Sequence, residues 1–382
     1  MTQNPLDLLH SISPAAISEV ARQAAKAQTF EVNEWAVELL RHEKVVETTG
    51  GLYRFHGQGW DGERVLPWSA VLKMIRRPGD DCLEPGGMCY WRRELLAYGS
   101  SLLASLPGAL RAPRCFGVSE DADGGWIWME EIRETGRAVW DLADFQRAAR
   151  HLGRFAGAYL TGLPVPDQPW LCASLFRGML RDDDWWARFM NPASPNNAWQ
   201  RAAVQQTFPE PLRSRVLRIW AEKWDFIAAY EKLPRVLCHN DAHRQNFMLG
   251  ENSMAAIDWG FCGPGALGSD LGQLVGTSLS YFAVEPEQAG ELEAAVFEGY
   301  RAGLRDAGWS GDERLAWLGY CISLALYWGA TLPCAAVQLF ESGMNVEAKY
   351  GRPAGAVLSG WSALAHLALD RADEARMLAC EI

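Results

Sequence analysis

The densest group of polar residues in this sequence is HNDAHRQN, at residues 239–246. It places Asp241 and Asn246 in one short loop, and Asp258 follows 12 residues after Asn246, at the end of an apolar run. Transfer of a phosphate from a nucleotide to a hydroxyl group needs a carboxylate that accepts the hydroxyl proton and oxygen ligands that hold Mg²⁺ on the phosphates. These three residues offer that set. A purely structural polar loop is disfavoured, because both acids adjoin apolar strands, where a charge is costly to bury.

Lys73 is the next residue whose position suggests chemistry, because it interrupts the apolar run of residues 70–75. The chain has six lysines and 30 arginines, so a cation placed there at random would more often be arginine. A compact ammonium suits the α- and β-phosphates of a nucleotide. Glu94, 21 residues later, lies in a predicted helix at 90–106, where it could pair with Lys73. The alternative is a lysine that extends into solvent from an edge strand.

The elements that must position these residues change character along the chain. Ser13 followed by Pro14 predicts the start of a helix, and we expect an N-terminal helical extension over residues 1–45. Glycine-interrupted runs of aromatic and β-branched residues then predict antiparallel strands with one inserted helix. After residue 131 the apolar spacing is mainly helical.

These patterns predict an α+β fold with two lobes. The N-terminal lobe, which would bind the nucleotide, should cover residues 46–132 and consist of a small antiparallel sheet with one helix. The C-terminal lobe, at 133–382, should be mainly helical and should carry the polar loop and the helices that bind the acceptor.

Composition excludes several other classes of protein. The net charge of −11 over 382 residues disfavours a broad basic surface for nucleic acid and permits a cationic small substrate. Nine scattered cysteines without metal-binding spacing favour a reduced, cytoplasmic protein, and no secretory signal is expected at the first residues. Residues 315–340 carry no charge, but the glycine, serine, proline and glutamine among them favour buried helices over a membrane span.

The motifs resemble those of the aminoglycoside phosphotransferase and choline kinase-like enzymes, the phosphotransferase enzyme family, which share the bilobed fold of protein kinases. The resemblance covers about residues 45–345. It rests on HNDAHRQN, on IDWG at 257–260 and on Asp270 in the sequence GSDL. The segments WSAVLKMI and WMEE are similar to the family's third strand and hinge.

This resemblance implies a role for each matching residue. Asp241 would be the catalytic base, Asn246 and Asp258 the metal ligands, Lys73 the phosphate-binding lysine and Glu94 its partner. The remaining implied residues brace the catalytic loop (His239, Asp270), serve as gatekeeper and adenine-facing hinge (Met129, the C=O of Glu130, the N–H of Ile132), or supply the glycines of the phosphate-covering loop before the next strand (Gly50, Gly51). The implied cofactors are ATP, with GTP left open, and Mg²⁺.

The acceptor is the least determined part of the prediction. Asp182, Asp183 and Asp184 precede Trp185 and Trp186, and acids beside aromatic faces suit a ligand that carries ammonium groups. Glu341 and Glu347 could add further acids. We therefore favour an aminoglycoside-like or amino-sugar acceptor, with a neutral sugar, a macrolide or a choline-type alcohol as alternatives. Such an acidic run more often caps the start of a helix.

Two other functions compete with this interpretation. A metal-dependent hydrolase could use His239, Asp241, His243 and Asp258 around two metals, although such sites usually need further His and Asp ligands. A nucleotide-binding pseudoenzyme would be expected to lack at least one of the key residues, and all of them are present. A protein substrate is disfavoured because IDWG runs quickly into GPGALGSDL, which leaves little room for a peptide-binding segment.

Overall fold

The computed structural model describes residues 12–41, 49–79, 82–134, 139–182, 185–191 and 193–382. The first part is an antiparallel five-stranded sheet with the strand order β1-β2-β3-β6-β5. Its elements are α1 (Pro14–Ala25), β1 (Glu31–Arg41), β2 (Thr49–Trp60), β3 (Val65–Arg76), α2 (Arg93–Gly99), β5 (Cys115–Glu120) and β6 (Gly124–Glu130). One face of the sheet packs on α1, because Tyr53, Phe55 and Leu72 are buried with Ile17 and Val20.

The expectation of a helical extension through residue 45 was wrong at β1. Only α1 is helical in the described part of that segment, and β1 pairs with β2 as the edge strand of the sheet. The reason is local, since apolar Trp35, Val37 and Leu39 alternate with Glu34 and Glu38 at the period of a strand. The division into lobes at residues 46 and 133 stays a prediction, and β1 extends the sheet to the N-terminal side of residue 46.

The inserted helix is shorter than predicted. The sequence pattern indicated a helix over 90–106, but α2 ends at Gly99 and is followed by a 3₁₀ turn at Leu103–Ser105. Ser100 ends the helix, because its hydroxyl accepts a hydrogen bond from the N–H of Leu102 at 3.2 Å. Serine side chains compete with the helical backbone in this way.

The second part of the chain is mainly helical. Two small sheets interrupt it, with β10 antiparallel to β7, and with β9 between β8 and β4. The strands are β4 (Leu110–Arg111), β7 (Arg235–Cys238), β8 (Phe247–Leu249), β9 (Met254–Ala256) and β10 (Gly263–Ala266). The helices are α3 (Leu142–Leu160), α4 (Leu175–Met179), α5 (Trp185–Met190), α6 (Ala202–Thr207), α7 (Leu212–Lys232), α8 (Ser269–Ser280), α9 (Ala289–Asp306), α10 (Glu313–Leu324), α11 (Leu332–Glu341), α12 (Val346–Tyr350) and α13 (Ala354–Glu381), with a π-helix at Ala325–Gly329.

Close helix packing forms the core of this second part. A Cβ atom on Gly153 of α3 would lie 2.1 Å from the carbonyl oxygen of Tyr300 in α9, so only glycine permits this approach. The helical stretch Glu313–Glu341, which contains the uncharged residues 315–340, is long and apolar enough to span a membrane by composition, but most of its apolar part is buried inside the protein. The α+β organisation predicted from the sequence is confirmed.

Candidate active site

The loop at 239–246 begins directly after β7 and is held by one buried carboxylate. Asp270, in the first turn of α8, accepts hydrogen bonds from the N–H groups of His239, at 3.0 Å, and Asn240, at 2.9 Å. Burial raises the pKa of Asp270, although His239 and the two N–H donors act in the opposite direction. The His239 ring is fully buried, and its Nε2 lies 2.8 Å from the carbonyl oxygen of Ile257. His239 and Asp270 thus make the contacts that a bracing role requires.

Asp241 and Asn246 contact each other within this loop. The Asn246 side-chain Nδ2 donates to both the backbone oxygen and the Oδ2 atom of Asp241, each at 2.9 Å. His243 Nε2 lies 3.5 Å from the same Oδ2 atom. The Asp241 side chain keeps 24% of its surface exposed, so it is oriented by the protein and still accessible to a ligand.

Lys73 joins two carboxylates that are far apart in the sequence. Its Nζ atom lies 2.5 Å from Glu94 Oε2 and 2.8 Å from Asp258 Oδ1. The pair that the sequence suggested between Lys73 and Glu94 is therefore present. Glu94 is buried and the Lys73 side chain keeps only 12% of its surface exposed, whereas the Asp258 side chain is 48% exposed. The more accessible carboxylate is the one that the sequence assigns to the metal.

The ionisation of these three groups follows from one ammonium shared by two carboxylates. Burial opposes the charge of Lys73, but Asp258 and Glu94 together raise its pKa. Burial raises the pKa of Glu94 to about 6, against the effect of Lys73. For Asp258, burial acts upward, and the Lys73 ammonium outweighs it and lowers the pKa. At neutral pH the cluster carries one net negative charge.

Arg93 is a further residue of this region, and sequence reasoning missed it. It is fully buried beside Glu94 on α2 and has no ion-pair partner among the described residues. Its guanidinium donates to four backbone carbonyls, those of Trp170 at 3.0 Å, Met88 at 2.8 Å, Gly260 at 2.7 Å, and Gly87. Arg93 thereby ties α2 to the loop that follows Asp258, whose backbone is left-handed with φ of 64°. The spacing of the sequence carries no signal for this contact.

The expected hinge lies at the end of β6. Met129 is buried opposite Val71 in the sheet, as a gatekeeper would be. Glu130 accepts hydrogen bonds from Arg111 Nη1, at 2.8 Å, and from the N–H of Arg114, at 3.1 Å. The adenine contacts of the Glu130 carbonyl and the Ile132 N–H stay predictions.

The phosphate-covering loop also stays a prediction. Gly50 and Gly51 are the second and third residues of β2. Gly51 has a φ of 151° and lies at a register shift between β2 and β3. The connection between β1 and β2, residues 42–48, lies outside the described residues.

Of the predicted acceptor residues at 182–185, the structure describes the side-chain contacts of Asp182. Asp182 Oδ1 binds Lys223 Nζ at 2.7 Å, and this ammonium also lies over the rings of Trp220, at 4.5 Å, and Trp224, at 5.1 Å. Asp183 and Asp184 lie outside the described residues, as does the side chain of Trp185 at the start of α5.

The two more distant acids differ in their contacts. Glu341 Oε1 binds Arg201 Nε at 3.0 Å, and Glu347 is exposed on α12. Asp182 and Glu341 thus already have cationic partners within the chain, which the sequence pattern did not indicate.

The contacts do not favour a dinuclear hydrolase. Among the described residues, no three His, Cys, Asp or Glu side chains are grouped so that they could hold a metal ion. His239 Nε2, one of the ligands that such a site would need, already contacts the carbonyl oxygen of Ile257. A mixed site of one carboxylate and one amide, completed by phosphate oxygens, matches Asp258 and Asn246 better.

Comparisons with known proteins address the family and the fold of the chain. Residues 98–309 match the family model of the phosphotransferase enzyme family, APH. An amicoumacin kinase in complex with AMP-PNP, Ca²⁺ and Ami is 16% identical, with a TM-score of 0.50 and 96% of each chain covered. A choline kinase from Cryptosporidium parvum Iowa II is 12% identical, with a TM-score of 0.52, covering 95% of this chain and 96% of that chain. These structures confirm the kinase-like fold. No curated protein matched the sequence.

Proposed function

Because the chain belongs to the phosphotransferase enzyme family, we propose that it moves the γ-phosphate of ATP to a hydroxyl group of a small molecule. The observation that carries this proposal is the double contact of Lys73 with Glu94 and Asp258. It brings a cation, its buried partner and a half-exposed acid to one point between β3, α2 and the loop after β9. Phosphoryl transfer depends mainly on such positioning of charges around the phosphates.

In this proposal Asp241 is the general base. Its carboxylate is accessible, and Asn246 Nδ2 orients it by donating one hydrogen bond to Oδ2 and a second to the Asp241 backbone oxygen. It would orient the acceptor hydroxyl and take its proton as the oxygen attacks the γ-phosphorus. The hydroxyl proton is transferred to the Asp241 carboxylate, and the bond between the γ-phosphorus and the bridging oxygen of ADP breaks, so that ADP leaves.

Asn246 and Asp258 are the residues that would hold Mg²⁺. Both offer hard oxygen atoms, which Mg²⁺ prefers, and the low pKa of Asp258 keeps its carboxylate charged. Its 48% exposed side chain can accept a second cation beside Lys73. When bound, the metal neutralises charge on the nucleotide phosphates.

Lys73 would bind the α- and β-phosphates, with Glu94 holding the ammonium in place. The base of the nucleotide would lie against the hinge formed by Met129, Glu130 and Ile132, and we favour adenine over guanine.

For the acceptor, we propose a small molecule that carries amino groups, such as an amino sugar or an aminoglycoside-like compound. The net charge of −11 and the acids at 182–184 support it. A neutral sugar, macrolide or choline-type alcohol is the second candidate, and one observation favours the uncharged members of that group. Asp182 and Glu341 are already paired with Lys223 and Arg201, which lowers their attraction for another cation. We further propose a cytoplasmic location, which the odd number of scattered cysteines supports.

The proposal is tested by nucleotide turnover against a panel of acceptors. The wild-type protein with Mg²⁺ and either ATP or GTP is mixed with aminoglycosides, amino sugars, neutral sugars, macrolides and choline. Nucleoside diphosphate release and the mass of the acceptor are then measured. We expect acceptor-dependent ADP release that Asp241→Asn abolishes.

The matched control is Asp225→Asn, which removes an exposed acid on α7 and should leave the rate unchanged. Phosphorylated acceptor formed equally well by Asp241→Asn would refute the assignment of the base. Failure of every acceptor with both nucleotides would refute the proposed function.

A further inference from the structure

A π-helix interrupts the long C-terminal helical stretch at Ala325–Gly329, between α10 and α11. The N–H of Ala330 donates to the carbonyl oxygen of Ala325 at 2.9 Å, a bond that spans five residues instead of four. Such turns are rare in proteins and are frequent at functional sites, because the extra residue changes which side chains face a neighbouring segment.

The side chain presented by this turn reaches the catalytic loop. The Tyr327 hydroxyl donates a hydrogen bond of 2.9 Å to the backbone oxygen of Asn240. That oxygen belongs to the peptide group that joins Asn240 to Asp241. The hydrogen bond therefore orients the plane of this peptide group, to which the Cα atom of Asp241 is attached. Burial raises the pKa of Tyr327 well above its ordinary value, and Asp241 acts in the same direction. The hydroxyl therefore remains protonated and able to donate.

Asn240 makes two further hydrogen bonds, to Asp270 and Phe261. Its N–H donates to Asp270 Oδ1 and its side-chain Nδ2 donates to the carbonyl oxygen of Phe261, each at 2.9 Å. The residue has a left-handed backbone, with φ of 63°, which is costly for a residue other than glycine. Asp270 thus holds the peptide group before Asn240, and Tyr327 is the donor that the described structure provides to the peptide group after it.

Tyr327 also contacts α4, one of the helices that precede β7. The ring of Phe176, in α4, packs edge-on against Tyr327 with a centroid distance of 5.1 Å, and against Tyr230 of α7 at the same distance. Of these two helices, α4 lies within the segment 170–230, which we expect to line the acceptor pocket. A shift of α4 would therefore reach the Asn240 carbonyl through two aromatic rings.

We propose that Tyr327 is a positioning residue that orients Asp241 through the carbonyl group of Asn240. The proposal rests on the proposed function, in which Asp241 is the base. Tyr327 does not touch the reacting atoms in this scheme. Its loss should lower the rate of the chemical step without weakening the binding of nucleotide, because a small displacement of a catalytic group is enough to slow a reaction.

The test compares Tyr327→Phe with Tyr320→Phe. Both remove one hydroxyl from a buried or partly buried tyrosine of the same helical stretch, and Tyr320 donates to Glu293 instead of the loop. We expect Tyr327→Phe to lower kcat by roughly 10- to 100-fold with an unchanged Kd for ATP. Tyr320→Phe should lower Tm and leave kcat unchanged.

A second measurement does not depend on the acceptor. Amide hydrogen exchange in the peptide that covers residues 238–247 should be faster in Tyr327→Phe than in the wild type, and unchanged in Tyr320→Phe. A wild-type kcat with wild-type exchange in Tyr327→Phe would overturn the proposal. So would a loss of kcat that Tyr320→Phe reproduces at an equal loss of Tm. If the wild type transfers no phosphate at all, the proposed function fails, while the exchange experiment still decides whether Tyr327 holds the loop.

Discussion

Replacement of Glu94 by glutamine should affect the stability of the protein and its activity in different ways. Two carboxylates share the single ammonium of Lys73, and Glu94 is the more buried of the two, so its pKa rises from 4.5 to about 6. At 1.36 kcal/mol per pKa unit, that rise corresponds to about 2 kcal/mol by which the folded protein disfavours the ionised form. Glutamine has the shape of the protonated acid and carries no charge. We therefore expect Glu94→Gln to be as stable as the wild type at pH 7, or more stable by up to about 2 kcal/mol.

The pH dependence follows from the same numbers. Because the folded pKa is above the unfolded value, the stabilising effect of the Glu94 proton is fully present below about pH 4.5. It is lost as the pH rises through about 6. Activity should change in the opposite direction, since only the ionised carboxylate holds Lys73 in place. Between pH 4.5 and 6, Tm should therefore fall while the rate rises.

The assay measures Tm and the initial rate of ADP release from pH 4.5 to 8 in the wild type and in Glu94→Gln. The variant should show a smaller decrease of Tm between pH 4.5 and 6 and a rate at pH 7 reduced by roughly tenfold or more. Glu120→Gln is the matched control, because this acid of β5 pairs at the surface with Arg92, the residue that precedes α2. A loss of about 3 kcal/mol or more in Glu94→Gln would refute the reasoning, since it would mean that the buried ion pair stabilises the fold.

Three further predictions concern the remaining charged groups. Asp241→Asn should lower kcat by roughly 10²- to 10⁴-fold, which corresponds to about 3 to 5 kcal/mol in the activation barrier. The affinity for ATP, measured by calorimetry, should be unchanged, and near-normal turnover would contradict the role of Asp241 as the base. Asp258→Ala should weaken nucleotide binding in the presence of Mg²⁺ more than in its absence, and equal affinity with and without Mg²⁺ in the wild type would argue against the metal site. Lys73→Arg should reduce activity, measured as ADP release, because a planar guanidinium cannot replace a point donor between Glu94 and Asp258. A fully active variant would contradict the assignment of Lys73 as the phosphate-binding residue.

The sequence was sufficient for the parts of the site that lie close together along the chain. Asp241 and Asn246 share one loop, so their spacing alone predicts that they lie near each other, and the structure joins them by hydrogen bonds. The α+β fold was also predictable, because strand and helix periodicities are local properties. The error at β1 had a local cause as well, since its period-two alternation was present in the sequence but was included in a helical extension.

Contacts between distant segments could not be predicted in the same way. Arg93 binds carbonyl groups of three separate segments, and Tyr327 reaches Asn240 across 87 residues of sequence. A backbone carbonyl has no side-chain identity, so nothing in the residue types marks it as the acceptor of a buried donor. Likewise, the acidic run that begins at Asp182 has the composition of a cation-binding site. Only the packing of α7 determines that Lys223 is the partner of Asp182.

The sequence by itself therefore determined which chemical groups this protein has and which of them are neighbours within a loop. The tertiary structure decided which distant charges share one environment, as Lys73, Glu94 and Asp258 do. The physical reason is that ionisation depends on burial and on the distance between charges, and both arise only when strands and helices pack together. The same packing decides that Glu94, and not Asp258, is the carboxylate that holds its proton more tightly.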